Sequence, residues 1–249
     1  MELMTTASST DVADKGARIA VLPVGSFEQH GDHLPLITDT VIACLIARQL
    51  AENYPLLLLP PLTISCSHEH ETFAGTVSLS PATLIAVISD IRRSLARSGI
   101  TTLVLVNAHG GNYVLSNIAQ QANTTGRNVV IYPGRDDWNR ARQVAGMDTD
   151  SHNDMHGGEL ETSILLHAEP DLVRPSFRNA DHEASDRSHL HLLGMAAYTS
   201  SGIIGRPSAA TDVKGKAALD ALTKSFGEYF ALITMQTERG SSARDCGVS

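Results

Sequence analysis

The chain has 249 residues, of which 42% are hydrophobic, and its formal net charge is −8 at pH 7. This is enough chain to bury a core, so we expect a single domain over 1–249 with flexible ends at 1–16 and 240–249. The acidic balance and the absence of a basic run argue against a nucleic-acid or anionic-membrane partner. No apolar segment reaches membrane-spanning length, and the first ten residues do not resemble a signal peptide. Three cysteines without a CxxC pair fit a reducing, cytoplasmic location.

Apolar runs alternate with helical patterns along the first half of the chain. The predicted strands are 18–24, 56–62, 101–106 and 129–132, and the predicted helices between them are 39–52, 80–98 and 113–123. Strands that are apolar throughout and alternate with helices indicate βαβ units and a parallel sheet, which is an α/β fold.

The second half of the chain is less regular. Residues 134–153 are polar, a helix is expected to end near Glu169, and residues 171–213 are irregular. An amphipathic helix is predicted from about 214 to 238. The His- and Asp-rich stretch at 178–213 is interpreted as a solvated loop or a pocket lid rather than a second metal site.

Anionic and imidazole side chains crowd the loop after the first predicted strand. Glu28, His30, Asp32, His33 and Asp39 lie within twelve residues of one another. Burying such a set is costly unless a cation compensates for it, so a divalent metal is the simplest explanation. Thr38 or Asp39 is expected to cap the following helix, and Asp39 taken alone would be interpreted as its N-cap.

Two further clusters follow the same pattern. His109 comes after the third strand, and His156 and Glu161 open a later helix. Loops after parallel strands meet at one edge of a sheet, so these groups can converge with Glu28 and Asp39. Mixed nitrogen and oxygen ligands suit zinc, manganese or iron rather than magnesium or calcium. A shared carboxylate would hold two metals about 3.5–4 Å apart.

Gly110 and Gly111 follow His109 directly. Without a Cβ atom, this backbone can approach a bound group closely or adopt a positive φ, and its N–H groups can face a developing oxyanion.

Four sequence blocks resemble the creatininase (creatinine amidohydrolase) family. They are Pro23-Val-Gly-Ser-Phe-Glu28-Gln-His30-Gly with Leu34-Pro-Leu-Ile-Thr-Asp39, Ser67-His-Glu-His70 with Phe73-Ala-Gly75-Thr76, Asn107-Ala-His109-Gly-Gly-Asn112, and His156-Gly-Gly-Glu-Leu-Glu161-Thr-Ser. The resemblance implies a three-layer α/β/α fold with a mainly parallel sheet, two divalent transition metals per chain and hydrolysis of a non-peptide C–N bond in a small molecule. It also implies a homo-oligomer, commonly a hexamer.

The resemblance also implies roles for individual residues. Glu28 and His109 would hold one metal, His30 the other, and Asp39 would bridge them. Creatininase has a metal-ligating glutamate where this chain has Gly111, and Glu161 is the candidate replacement. His156 would transfer a proton to the leaving nitrogen after a metal-activated water attacks the amide carbon.

The remaining predicted site residues surround this centre. Glu159 would orient His156 or lie at the helix N-terminus. The predicted substrate-side residues are Ser67, His70, Gly110, Gly111 and Asp154.

Two departures from creatininase weigh against creatinine as the substrate. Gly110 and Gly111 replace its tyrosine and glutamate, and Asn153 stands where its tryptophan precedes the aspartate. The family also includes enzymes of cofactor and peptide-derived redox-carrier biosynthesis, among them a formamidopyrimidine deformylase. Two alternatives therefore stay open: a member that binds a metabolite or partner without turnover, and a metal-dependent hydrolase or dehydratase acting on a sugar-like or peptide-derived substrate.

Overall fold

The computed structural model describes residues 5–242, with side chains described up to residue 235. Within the predicted flexible arm, Ser9–Lys15 form a short helix, α1. A capping box between Ser8 and Asp11 stabilises its N-terminus. Residues 1–4 and 243–249 of the two predicted flexible ends lie outside the described residues. The intervening residues 240–242 belong to the last helix.

Four parallel strands form the central sheet in the order β2-β1-β3-β4. Their bounds are β1 Ile19–Val24, β2 Leu57–Leu58, β3 Thr102–Asn107 and β4 Val129–Tyr132. The predicted parallel sheet is therefore confirmed.

The second strand is much shorter than the predicted 56–62. Pro60 and Pro61 cannot donate hydrogen bonds, so they interrupt the ladder beside β1. Pairing resumes at Leu62, whose N–H donates to Pro23 O at 2.9 Å.

The helices flank this sheet. Their bounds are α2 Thr38–Asn53, α3 Pro81–Arg97, α4 Val114–Ala122, α5 Arg135–Ala145, α6 Glu159–Ala168, α7 Leu190–Leu193 and α8 Asp212–Ser242. Helix α5 was not predicted, because its sequence is charged and only a narrow face, including Ala141, is buried against the core. Over residues 5–242, no helix combines the length and the apolar character needed to cross a bilayer.

Alternate residues of the central strands face opposite layers. Ile19 and Val21 of β1 pack in one apolar cluster with α2, α6 and α8. Ala20, Leu22 and Val24 pack in a second cluster with α3 and α4. The predicted three-layer α/β/α arrangement is confirmed.

A crevice opens where the chain changes direction across the sheet. Helix α2 crosses from β1 to β2 on one face, while α4 crosses from β3 to β4 on the other. Open α/β sheets bind their ligands at such a switch point, outside the carboxyl ends of the strands. The polar clusters predicted after the first and third strands lie at this position.

Candidate metal centre

Asp39 lies in the first turn of α2, but it does not cap the helix. The N-cap is Ile37, which makes no side-chain capping bond, so the prediction of Thr38 or Asp39 as the cap is wrong. Asp39 is instead buried at the crevice, where Oδ2 accepts a hydrogen bond from Ser26 Oγ at 2.6 Å. Its Oδ1 lies 3.2 Å from His30 Nε2.

Glu28 provides the most deeply buried carboxylate of the site. Its exposed fraction is 0%, and neither oxygen accepts a hydrogen bond from any described residue. Oε1 is instead surrounded by ring nitrogens: His109 Nδ1 at 3.1 Å, His70 Nε2 at 3.4 Å and His156 Nδ1 at 3.7 Å. A buried carboxylate without hydrogen bonds is costly unless a cation compensates for it, so these atoms fit a metal ion.

Three histidines present one free ring nitrogen to the carboxylates, because the other nitrogen is tied to a backbone carbonyl oxygen. His30 Nδ1 lies 3.1 Å from Glu28 O, His109 Nε2 lies 2.8 Å from Cys66 O, and His156 Nε2 lies 2.6 Å from Gln29 O. In a neutral ring the carbonyl-bound nitrogen carries the hydrogen, so the other nitrogen has a free lone pair. Metal-binding histidines are commonly oriented in this way.

His70 has the opposite orientation, because its N–H rather than its free lone pair faces the carboxylates. The Gln29 side-chain amide donates to His70 Nδ1 at 3.0 Å, and its orientation is fixed by Gly202 O and by the N–H of Gly31. The hydrogen of a neutral His70 ring is therefore on Nε2, facing Glu28. This makes His70 a donor toward the site rather than a metal ligand, and burial lowers its pKa to about 3.

The carboxylates hold positive charge between them. Burial lowers the pKa of His30, but the carboxylates of Asp39, Glu161 and Glu28 together outweigh burial and raise that pKa to about 9. Burial also lowers the pKa of His109, whereas the negative charge of Glu28 raises it. The net result is a pKa well above the usual value. The pKa of His156, in contrast, lies well below its usual value because burial and His30 both oppose its protonation. A metal ion would take the place of the protons on its ligands.

The candidate ligand atoms form three groups in which all atoms lie within 4.8 Å of one another. Two of the groups share Asp39: one adds Glu28 and His109, and the other adds His30 and Glu161. The five predicted ligands thus come together as two sets with a common carboxylate. A third group joins His156 to Glu28 and His30.

Glu161 reaches the site from α6. The backbone N–H of Gly157 donates to its Oε2 at 2.6 Å. Burial raises the pKa of Glu161 to about 7.

The two glycines after His109 have different surroundings, and neither has a positive φ. A Cβ on Gly111 would lie 2.1 Å from Glu69 Oε1 and 2.4 Å from His109 Nε2, whereas a Cβ on Gly110 would meet nothing within 4 Å. Gly111 therefore allows Glu69 and His109 to approach the backbone closely. Gly110 leaves open space beside the site.

Ser67 is buried near this centre. Its Oγ has no hydrogen-bond partner within the described part of the chain, which leaves it able to bond a ligand.

Glu159 and Asp154 are engaged in the fold. Glu159 is the first residue of α6, which is one of its two predicted positions. It accepts hydrogen bonds from the backbone N–H groups of Asp148 and Thr149 and from Lys214 Nζ. No described contact joins Glu159 to His156.

Asp154 accepts bonds from the N–H groups at the start of α6 and lies 2.8 Å from Arg142 Nη1. It thus caps α6 with its side chain while also lining the cavity beside the metal centre.

Sequence reasoning did not assign Gln29 or Glu69 a role. Gln29 provides the carbonyl that orients His156 and the amide that sets the tautomer of His70. Glu69 Oε1 lies 3.8 Å from His109 Nε2. Both residues belong to the recognised blocks, but only their spatial contacts reveal what they touch.

A cavity of about 610 Å³ opens beside His109, Gly110 and Glu161. Its other side includes Trp138, the only tryptophan of the chain, and Arg187. Residues from 134–153, which include α5, and from 178–213 therefore line the space next to the candidate ligands.

Comparison with known proteins identifies the family. The sequence pattern of the creatininase family, described as creatinine amidohydrolase, matches residues 2–230. The chain belongs to the creatininase family. It is an amidohydrolase of that family, and the divalent-metal binding predicted from its ligand set agrees with the candidate groups above.

Curated relatives of this chain have different names. The mycofactocin precursor peptide peptidase of Mycobacterium ulcerans is 36% identical over 209 residues, covering 79% of this chain and 78% of the relative. The creatinine amidohydrolase of Pseudomonas putida is 31% identical over 182 residues, covering 64% and 67%.

Solved creatininase structures share the fold. A structure described as "Creatininase Mn" superposes with a TM-score of 0.76 at 25% identity, covering 92% of this chain and 97% of that chain. A putative creatinine amidohydrolase from Bacteroides fragilis has the same TM-score at 22% identity, covering 92% and 96%.

Proposed function

We propose that residues 1–249 act as one metal-dependent amidohydrolase domain that cleaves an amide C–N bond of a small molecule. The observation that carries this proposal is the buried Glu28 carboxylate, whose oxygens accept no hydrogen bond from the described residues although ring nitrogens lie beside them. Two ligand sets sharing Asp39 support a binuclear centre of zinc, manganese or iron.

The ligands divide as the two sets suggest. Glu28 and His109 would hold one metal, His30 and Glu161 the other, and Asp39 would contact both. Bound there, the metals supply a water of lowered pKa and polarise the substrate carbonyl.

His156 is the proposed proton-transfer residue. Its Nε2 is bonded to Gln29 O, and its depressed pKa keeps the ring neutral at neutral pH. Nδ1 therefore has a free lone pair 3.7 Å from Glu28 Oε1. A ring in this state can accept a proton at Nδ1 and deliver it to the leaving nitrogen.

The proposed substrate is larger than a single small ring. The cavity of about 610 Å³ lies within the range of about 300–1,000 Å³ that is usual for pockets of drug-sized ligands. Relatives covering nearly four fifths of this chain are named peptide peptidases, so a peptide-derived amide is the first class to test. Cyclic amides and formamides are the second.

Metal analysis combined with a hydrolysis screen tests this proposal. The purified, metallated protein is assayed on short peptides, creatinine and N-formyl amides, and its metals are counted. We expect about two equivalents per chain and turnover of at least one amide class. Glu28→Gln should lose metal and turnover, while the exposed Glu52→Gln on α2 keeps both.

A protein that binds two metals but hydrolyses none of these amides would contradict the proposed reaction. A fully folded protein that binds no metal would contradict the proposed centre as well. Retained turnover in Glu28→Gln would exclude the assigned role of that carboxylate.

We also propose a cytoplasmic location and a homo-oligomer, with a hexamer as the first assembly to test. The low cysteine content and the buried thiol of Cys66 support the first proposal. Light scattering of the purified protein tests the second.

A further inference from the structure

The cavity beside the metal centre has a wall that the proposed chemistry does not use. Its inner side is formed by the candidate ligands His109 and Glu161. Its outer side includes Arg135 and Trp138 of α5, together with Arg187 from the segment before α7. Two of these three residues are cationic, although the whole chain carries a net charge of −8.

The arginines that line this cavity are not equally neutralised. Arg142 lies 2.8 Å from the carboxylate of Asp154 and also donates to its carbonyl oxygen, so its charge is paired. Among the described side chains, which extend to residue 235, no carboxylate lies within ion-pair distance of Arg135 or Arg187. The cavity therefore has two arginines whose charges are not matched by a contacting anion.

Arg135 occupies an unfavourable position for its charge. It is the first residue of α5, where the helix dipole favours an acidic side chain and disfavours a cation. Asp136 follows it, but adjacent helix positions do not face each other. Trp138 lies one turn further along and lines the same cavity. A cation placed against the local preference indicates a function for that charge.

Arg187 connects the segment before α7 to the loop before α6. Its guanidinium donates to Ala184 O at 2.7 Å, to Met155 Sδ at 3.1 Å and to His152 O. These neutral acceptors use three of the five donors of the guanidinium. Burial lowers the pKa of Arg187, an effect that the negative charge of Asp150 opposes.

We propose that Arg135 and Arg187 form a binding subsite for an anionic oxygen group of the substrate, a carboxylate or a phosphate. Arginine suits this task because its planar donors match both groups. The aromatic ring of Trp138 would contact the apolar part of the same molecule. This inference rests on the proposed function, since it assigns the cavity to the amide substrate of that reaction.

The fluorescence of Trp138 provides a direct test of the subsite, because the chain has no other tryptophan. The metal-loaded protein is titrated with hydrocinnamate, with its neutral counterpart hydrocinnamyl alcohol, and with phenylphosphonate. None of these probes contains an amide bond. We expect hydrocinnamate or phenylphosphonate to bind at least about tenfold more tightly than the alcohol, as a charge-assisted hydrogen bond would produce.

The variants identify the source of that preference. Arg135→Gln should reduce the preference for the anion to less than about threefold, and because Arg135 is exposed the fold should not change. Arg140→Gln is the matched control, since Arg140 lies on the same helix and pairs with the exposed Glu228. It should retain the wild-type preference. Arg187→Gln should reduce it as Arg135→Gln does.

Three results would overturn the subsite. One is equal affinity for hydrocinnamate, phenylphosphonate and the alcohol in the wild type. Another is an anion preference that survives in both Arg135→Gln and Arg187→Gln, since the metals alone would then hold the anion. The third is an equal loss of preference in Arg140→Gln.

The proposed anion subsite and the proposed amide hydrolysis are tested by different assays, so each can be contradicted without the other. An enzyme that hydrolyses amides but shows no anion preference keeps the proposed function and overturns the subsite. A protein that prefers the anion through Arg135 but hydrolyses no amide supports the subsite and contradicts the proposed reaction. The probe that binds more tightly, hydrocinnamate or phenylphosphonate, identifies the group as carboxylate or phosphate.

Discussion

At the scale of single residues, the histidines of the candidate metal centre are oriented by backbone atoms. The carbonyl oxygens of Glu28, Cys66 and Gln29 each hold one ring nitrogen of His30, His109 and His156. Side-chain substitutions cannot remove these carbonyl groups, so the orientation depends on loops keeping their conformation. Close packing around the loops is therefore part of the metal centre.

Gly111→Ala should weaken metal binding about 10- to 100-fold, the range seen when groups that orient metal ligands are changed. The new Cβ would lie 2.4 Å from His109 Nε2, so the ring would have to move away from Cys66 O. Gly110→Ala is the control, because a Cβ there meets nothing within 4 Å. Competition with a fluorescent chelator measures both affinities. Equal affinities in the two variants would contradict the packing argument.

His156→Ala should keep two metals per chain and lose turnover by about 10²- to 10⁴-fold, the contribution typical of a proton-transfer group. His167→Ala on α6 is the control, since that ring is exposed and remote from the ligand groups. Metal content and turnover are measured on the same preparations. Loss of one metal in His156→Ala would instead make His156 a ligand, as its group with Glu28 and His30 allows.

At the scale of elements, Glu159 joins α6 to α8 and to the loop before α6. It is fully buried, and it lies 2.5 Å from Nζ of Lys214 on α8. It also accepts hydrogen bonds from the backbone N–H groups of Asp148 and Thr149. A single carboxylate thus connects three segments that border the site.

Glu159→Ala should lower the free energy of unfolding by roughly 3–5 kcal/mol, the usual cost of breaking a buried ion pair. Lys216→Ala on α8 breaks only an exposed pair with Asp220 and should cost less than about 1 kcal/mol. Urea unfolding measures both values. If Glu159→Ala is as stable as the wild type but loses turnover, Glu159 acts in catalysis.

The sequence predicted those elements whose burial dominates their composition. β1, β3 and β4 are apolar because both faces of the sheet are covered, and their predicted bounds agree with the structure to within a residue or two. Helix α5 was not predicted because most of its residues are polar or charged and few of them are buried. The signals available for it were Asp137, which bonds to the Gly134 N–H, and Gly146, whose φ is 64° at the helix end.

The candidate site, like the fold, could be predicted from the sequence only in part. Residues that follow parallel strands meet at one edge, so the convergence of Glu28, Asp39 and His109 followed from topology. The arrangement of Arg135 and Arg187 did not, because it depends on α5 and the segment before α7, about 50 residues apart, packing around one cavity. The local pattern of apolar and polar residues does not predict a contact between segments so far apart in the sequence.

At the scale of the whole molecule, the proposed metal centre connects segments from both halves of the chain. Its candidate ligands come from the loop after β1, from α2, from the turn after β3 and from α6. Metals bound to all of these segments would stabilise the native state relative to the unfolded chain, which has no such site. The buried Glu28 carboxylate increases this dependence, because nothing else described in the chain hydrogen-bonds its oxygens.

Chelation should therefore lower the thermal stability of the whole protein. A ligand at about 1,000 times its Kd contributes about 4 kcal/mol. For a chain of this size, each kcal/mol shifts Tm by about 2–4 °C, so saturating one site should raise Tm by about 8–16 °C. Scanning calorimetry with and without a chelator, followed by titration with zinc or manganese, measures the shift.

The Glu28→Gln variant separates metal binding from general salt effects on Tm. Its neutral amide removes one carboxylate ligand, so its Tm should respond to zinc or manganese by only a small part of the wild-type shift. Glu52→Gln has the same change of charge at an exposed position of α2 and should respond as the wild type does. If Glu28→Gln gains the full wild-type shift, the metals that stabilise the protein bind elsewhere. If the wild type itself shows no shift at metal concentrations far above the Kd, the metals do not bind the native state in preference to the unfolded chain, which contradicts the proposed centre.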